Sequence, residues 1–250
     1  MVTTITGIIR RFFSSFRLAA VAVPAAAAAA AAVLIGAAGP AGAATAAVAV
    51  PVPLGTAAHF AVLAASTVTN TGPTVVTGDL GLSPGTSVTG FPPGRVIGTV
   101  YTADAVALQA QADLTTAYND AAAQPVTATI PTELGGTTET SGVYNSAAGT
   151  FGITGTVTLN AQGNPAAVFI FKAASTLITA SASNVKLVNG AKAANVFWVV
   201  GSSATLGTYS AFKGNIMALA SITVTTGVTI TGRALARTAA VTLDTDTITK

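Results

Sequence analysis

Threonine and apolar residues alternate through the second half of the chain, in a short unit that recurs. Val157-Thr158-Leu159-Asn160, Ser175-Thr176-Leu177-Ile178, Ala204-Thr205-Leu206-Gly207, Ile222-Thr223-Val224-Thr225 and Val241-Thr242-Leu243-Asp244 each set a small or apolar residue, then Thr, then Leu or Val. Successive side chains on a strand point to opposite faces, so Thr turns outward where its apolar neighbours turn inward. Thr158 and Thr176 are 18 residues apart, as are Thr205 and Thr223, while Thr223 and Thr242 are 19 apart. The interval from Thr176 to Thr205 is 29 and predicts an insertion. Steps of this size match one coil of a β-helix, in which equivalent residues of successive turns stack. Thr158, Thr176, Thr205, Thr223 and Thr242 are then expected to form an external ladder, with the order along the chain not fixing the order in space.

Other β-prone runs, residues 167–171, 195–200, 215–219 and 234–237, alternate with the Thr strands and predict a second face. Phe169, Phe171, Phe197 and Trp198 are most simply its core and flanking residues, with sugar stacking by Trp198 as the alternative. Earlier, residues 59–65 form a short apolar strand, and residues 66–98 are dense in Thr, Gly and Pro. Turn chemistry at Thr71-Gly72-Pro73, Ser83-Pro84-Gly85 and Phe91-Pro92-Pro93-Gly94 predicts short strands and tight turns there. One helix stands out between the two regions. Thr102 is a candidate N-cap with Asp104 in the first turn, and Val106, Ala110, Leu114, Ala117 and Ala121 follow on one face. Gln124-Pro125 ends it, and the helix is expected to pack along the β body.

The beginning of the chain changes the charge balance. Arg10, Arg11 and Arg17 precede a long apolar stretch that closes on small residues, so residues 1–44 are read as a signal peptide with Ala41-Gly42-Ala43 as its cleavage signal. The stretch is long enough to span a bilayer, which leaves a retained anchor as the alternative, although Pro24 interrupts any helix there. Arg10-Arg11-Phe12 also hints at twin-arginine rather than general export. Residues 45–53 read as a flexible lead-in and residues 54–250 as one folded domain. The leader holds three of the 11 Lys and Arg and none of the 8 Asp and Glu, so the exported part is neutral. No basic stripe interleaved with aromatics follows, which excludes a nucleic-acid footprint. With no cysteine, neither a disulfide framework nor thiolate chemistry is available.

Catalysis has little to work with. His59 is the one histidine, and no serine sits in a Gly-x-Ser-x-Gly elbow. No His or Cys cluster has metal-ligand spacing, so neither metal nor cofactor is expected. Asp244 and Asp246, two apart on a strand, share a face and could pair as in a polysaccharide hydrolase, with Arg233 and Arg237 one coil earlier. A solvated edge explains them as well. Asp79, in Gly78-Asp79-Leu80-Gly81, reads as a turn carboxylate that accepts backbone N–H bonds.

Several separated motifs recur together in a known family. Leu54-Gly55-Thr56-Ala57, Phe60-Ala61-Val62-Leu63, Val68-Thr69-Asn70-Thr71-Gly72 and Gly78-Asp79-Leu80-Gly81 open the match, and Asn195-Val196-Phe197-Trp198, Phe212-Lys213-Gly214 and Gly232-Arg233-Ala234-Leu235-Ala236 close it. With them the chain resembles the ice-binding-like domain shared by bacterial, fungal and algal ice-binding proteins. The resemblance implies a mainly β fold, a right-handed discontinuous β-solenoid of triangular section with one long α-helix alongside, in which the first strands complete the solenoid beside later coils. It also implies that one flat face binds ice, through Thr-Ala/Gly-x-Thr/Asn-like patterns. Thr205-Leu206-Gly207-Thr208 and Thr223-Val224-Thr225-Thr226 match that pattern in part. The candidate face is therefore Thr158, Thr176, Thr205, Thr208, Thr223, Thr225 and Thr242. The partner is an ice surface bound by a secreted monomer that acts without catalysis and off the membrane once its leader is cleaved. The competing reading is an adhesive or structural solenoid that presents the same neutral face to an extracellular polymer or protein, with Thr there simply as a good exposed strand residue.

Overall fold

A strand of three to five residues cannot bury an apolar face alone, and stacking coil on coil buries all of them together. The computed structural model describes residues 48–250, and in it this stacking produces a β-solenoid with three faces built from parallel strands. The expected signal peptide and cleavage site lie outside the described residues.

The first face is a seven-stranded sheet in the order Phe151–Ile153, Leu177–Thr179, Ala204–Leu206, Ile222–Val224, Val241–Asp244, Thr67–Thr71 and Ser87–Thr89. The second runs through Gly142–Asn145, Phe169–Ala173, Val196–Val200, the later halves of Ala211–Ala218 and Thr229–Ala236, then Phe60–Ala64, Asp79–Leu82 and Val100–Thr102. The third includes Thr156–Asn160, Asn184–Val188, the earlier halves of the same two eight-residue strands, Thr247–Thr249, Val75–Thr77 and Arg95–Ile97. Spatial and chain order part company at one junction. Val62 pairs with Ala234, Val68 with Val241 and Val76 with Ile248, so the first strands stack beyond the last coil.

Coil length follows from how the chain rounds one corner. In Ala211–Ala218 and Thr229–Ala236 the strand bends without interruption at Gly214 and Gly232, which pair in register with φ of 118° and 142°. A Cβ on Gly232 would collide with the Gly214 carbonyl, so only glycine fits. Earlier coils instead leave the sheet at residues 161–168 and 189–195 before rejoining it. Inside, Tyr144, Phe171 and Trp198 pair in register and stack, with Phe171 and Trp198 centroids 4.3 Å apart. Trp198 is buried and its indole N–H donates to the Lys213 carbonyl at 3.1 Å, which removes it from any sugar-stacking role.

The helix spans Ala105–Ala123 and lies against the second face. Its N-cap is Asp104, whose carboxylate accepts the Ala107 N–H at 2.8 Å, rather than Thr102. The covered stripe is Ala107, Ala110, Leu114, Ala117 and Ala121, while Val106 is 45% exposed. At 3.6 residues per turn, Val106 sits about 100° away from Ala107 and falls off the stripe. Ala49, Val52 and Leu54 join the same apolar layer. The Gln124 amide accepts the Val50 N–H and donates to the Val50 carbonyl, so the described part of the lead-in is packed down.

Candidate functional site

On the first face the burial pattern alternates, with Ala204, Leu206, Ile222 and Val224 inside and the residue between each pair outside. Register aligns the outward residues into one column: Gly152, Ile178, Thr205, Thr223, Thr242, Thr69 and Thr89. Parallel strands place neighbours in such a column about 4.8 Å apart. β-Branching restricts each Thr χ1, so the methyl and hydroxyl positions repeat from coil to coil.

Hydrogen bonding separates the middle of this face from its edges. Along one edge the Ser181 and Thr208 hydroxyls bond each other at 2.9 Å, and the Thr226 hydroxyl donates to Asp244. Along the other, the hydroxyls of Ser203 and Ser221 lie 2.9 Å apart. Thr225 turns its hydroxyl back to the Leu206 carbonyl at 2.7 Å. Among the described residues, the five threonines of the central column have no protein partner for their hydroxyls. What the face offers solvent is thus a line of free donor-acceptor groups set among methyls, with part of its borders paired.

The expected set is divided by this geometry. Thr205, Thr223 and Thr242 stand together in the column. Thr176 precedes Leu177 at the edge beside Ser203, and Thr208 belongs to the opposite edge. Thr158 does not belong to this face: it pairs with Thr138 and Lys186 on the third. Its 18-residue distance from Thr176 is not a coil repeat, because the residue above Ile178 is Gly152, 26 positions earlier, the excursion at 161–168 having lengthened that coil. Thr69 and Thr89 complete the column and were not expected in it. The alternation in Val68-Thr69 and Val88-Thr89 was visible, but Asn70 and Gly90 replace the apolar residue that follows Thr in the other units. Asn70 is buried, and its amide donates to the carbonyls of Gly72 and Gly90 at 2.9 and 2.8 Å.

The acidic pair read as a shared face is also rearranged. Thr245 has φ of 59°, which turns the chain between Asp244 and Asp246. Asp246 is buried rather than on a solvated edge, and its carboxylate accepts the Val228 N–H at 2.9 Å and the Asp244 N–H at 2.7 Å. Burial pushes its pKa up to about 7, against the pull of those two bonds. Arg233 donates to the Ala58 carbonyl and to Asn215, and Arg237 lies over the Tyr118 ring, so packing engages both cations. Asp79 accepts the Thr99 N–H at 2.9 Å, as expected of a structural carboxylate. His59 is exposed at the end of the short helical turn Gly55–His59 and lines a shallow depression with Asp79 and Tyr101. Among the described residues no three His, Cys, Asp or Glu cluster as metal ligands would.

A solenoid with one covered face and one regular Thr face defines a surface-binding rather than a cleft-binding class of protein. The ice-binding-like family profile matches residues 62–249, and the chain belongs to that family. It is 54% identical over 197 residues to the ice-binding protein of Nostoc sp. strain HG1, covering 78% of this chain and 72% of that one. It is 37% identical over 229 residues to ice-binding protein 1 of Shewanella frigidimarina, spanning 79% of this chain but 26% of that protein. The ice-binding protein of the Antarctic ascomycete Antarctomyces psychrotrophicus superposes with a TM-score of 0.78 at 45% identity, over 80% of this chain and 98% of its own.

Proposed function

We propose that the protein is an exported, monomeric ice-binding protein that adsorbs through the central column Thr205, Thr223, Thr242, Thr69 and Thr89. The observation that carries this reading is the in-register line of free threonine hydroxyls on a parallel sheet, in a chain whose similar proteins are named for binding ice. Each methyl disfavours disordered hydration, and each hydroxyl both donates and accepts, so ordered water can be held across the face. Because the side chains are already restricted, adsorption loses little conformational entropy. Protein fixed on the crystal then pins the advancing ice front, which requires no catalytic residue.

The test is thermal hysteresis and recrystallisation inhibition by the protein and by Thr223→Tyr. The ring is expected to stand above the plane and abolish most activity while leaving the melting temperature unchanged. Asn119→Tyr, on the exposed side of the helix, should behave as wild type. A wild-type protein that neither shapes ice nor slows recrystallisation would overturn the proposal and favour adhesion to an extracellular polymer.

A further inference from the structure

The coils that carry Thr223, Thr242 and Thr69 present threonine a second time, on the third face. Thr229 aligns with Thr247 and Val75, and Thr231 aligns with Thr249 and Thr77. Thr229, Thr231, Thr247 and Thr249 are exposed, and Val75 and Thr77 half-buried. Two columns, two residues apart on three successive coils, make a grid of about 4.8 by 6.7 Å. Both columns lie within the strands, and among the described residues none of the five hydroxyls has a protein partner. Val75 keeps the β-branched shape and lacks only the hydroxyl. Beneath the grid Ile230, Ile248 and Val76 are fully buried and in register, which holds the plane rigid. Lys213 and Arg95 bound the array at its two ends without entering it. The centre is therefore uncharged, unlike a surface built for a polyanion.

We propose that this grid is a second ice-adsorbing surface, so that one molecule offers ice two separate planes. The inference rests on the reading of the first face as ice-binding, because its chemistry is the same. The two arrays are divided by the edge that holds Thr226, Asp244 and buried Asp246, and adjacent faces of a three-sided solenoid point in different directions. One flat crystal surface cannot touch both. Each array therefore selects its own lattice plane or contacts its own crystal.

Fluorescently labelled full-length protein adsorbed to a single-crystal ice hemisphere separates the two surfaces. Wild type is expected to label two sets of planes. Thr231→Tyr should lose one set and keep the other, Thr249→Tyr should lose the same set, and Thr223→Tyr should lose the complementary one. Melting curves that match wild type verify that these outward substitutions leave the fold intact. If Thr223→Tyr alone erases all labelling while Thr231→Tyr and Thr249→Tyr leave the pattern unchanged, the second surface is overturned and the first stands. Wild-type protein that labels no plane overturns both.

Discussion

The first and second faces use the same backbone and differ in what lies on the outside. On the first, Thr205 and Thr223 alternate with buried apolar residues, and the outward set stays open. On the second, Val196–Val200 is buried on both sides and Phe169–Ala173 is too except at Lys172, because Phe197, Val199 and Ile170 turn outward into the layer beneath Ala110, Leu114 and Ala117. A strand that is apolar on both faces must be covered, and the helix covers it. The difference teaches that the sidedness of each strand, more than its propensity, assigns it either to structure or to contact with the outside.

That contrast is broken most severely from the inside. Leu206 is fully buried between coils, so Leu206→Ala is expected to cost about 2–5 kcal/mol in denaturant unfolding. Thr205→Ala, one residue along and outward, should cost far less. Equal losses would mean that the first face is not open.

The junction between the last coil and the first strands can be probed by pH. Asp246 bridges Val228 and Asp244, and its own N–H donates to the Thr74 hydroxyl. Its pKa is raised from 3.8 to about 7 in the folded protein by burial. The folded state therefore holds a proton that the unfolded state releases between those two values. The stabilisation is complete below the lower value, declines as pH rises through the window and is gone above the upper one. The melting temperature should be higher at pH 5 than at pH 8. In Asp246→Asn that difference should vanish, even if the variant is less stable at both.

Much of this was legible in the sequence, for reasons specific to particular residues. The Thr205, Thr223 and Thr242 units carry their register openly because the two coils between them are short and round the corner through glycine. Runs 195–200 and 215–219 were expected to form a second face, but that the helix covers it emerges only from the packing of Phe197, Val199 and Met217 against Ala110 and Leu114. Thr158 was misplaced because a loop excursion produced a spacing equal to a coil by coincidence. Thr69 and Thr89 were missed because Asn70 and Gly90 break the Thr-then-apolar unit, although the first strands were expected to complete the solenoid beside later coils. Asp246 could not be separated from Asp244 by alternation, since the turn at Thr245 breaks the strand period on which that inference depends.

The smallest expected effect tests whether the covered and open faces are independent. Asp104 caps the helix by accepting the Ala107 N–H, one of the donors that the first turn leaves without a helical partner. Asp104→Ala removes the acceptor and is expected to cost about 1 kcal/mol. The loss should fray the start of the helix, near Ala107, without reaching the solenoid interior, whose buried cluster is distinct from the one beneath the helix. Hydrogen exchange should therefore quicken in the first helical turn and not in Ile222–Val224. Ice shaping should be unchanged, because no residue of the threonine column touches the helix layer. If Asp104→Ala weakens ice binding as much as it weakens the helix, the two faces are coupled through the core, and the helix helps to keep the open face flat.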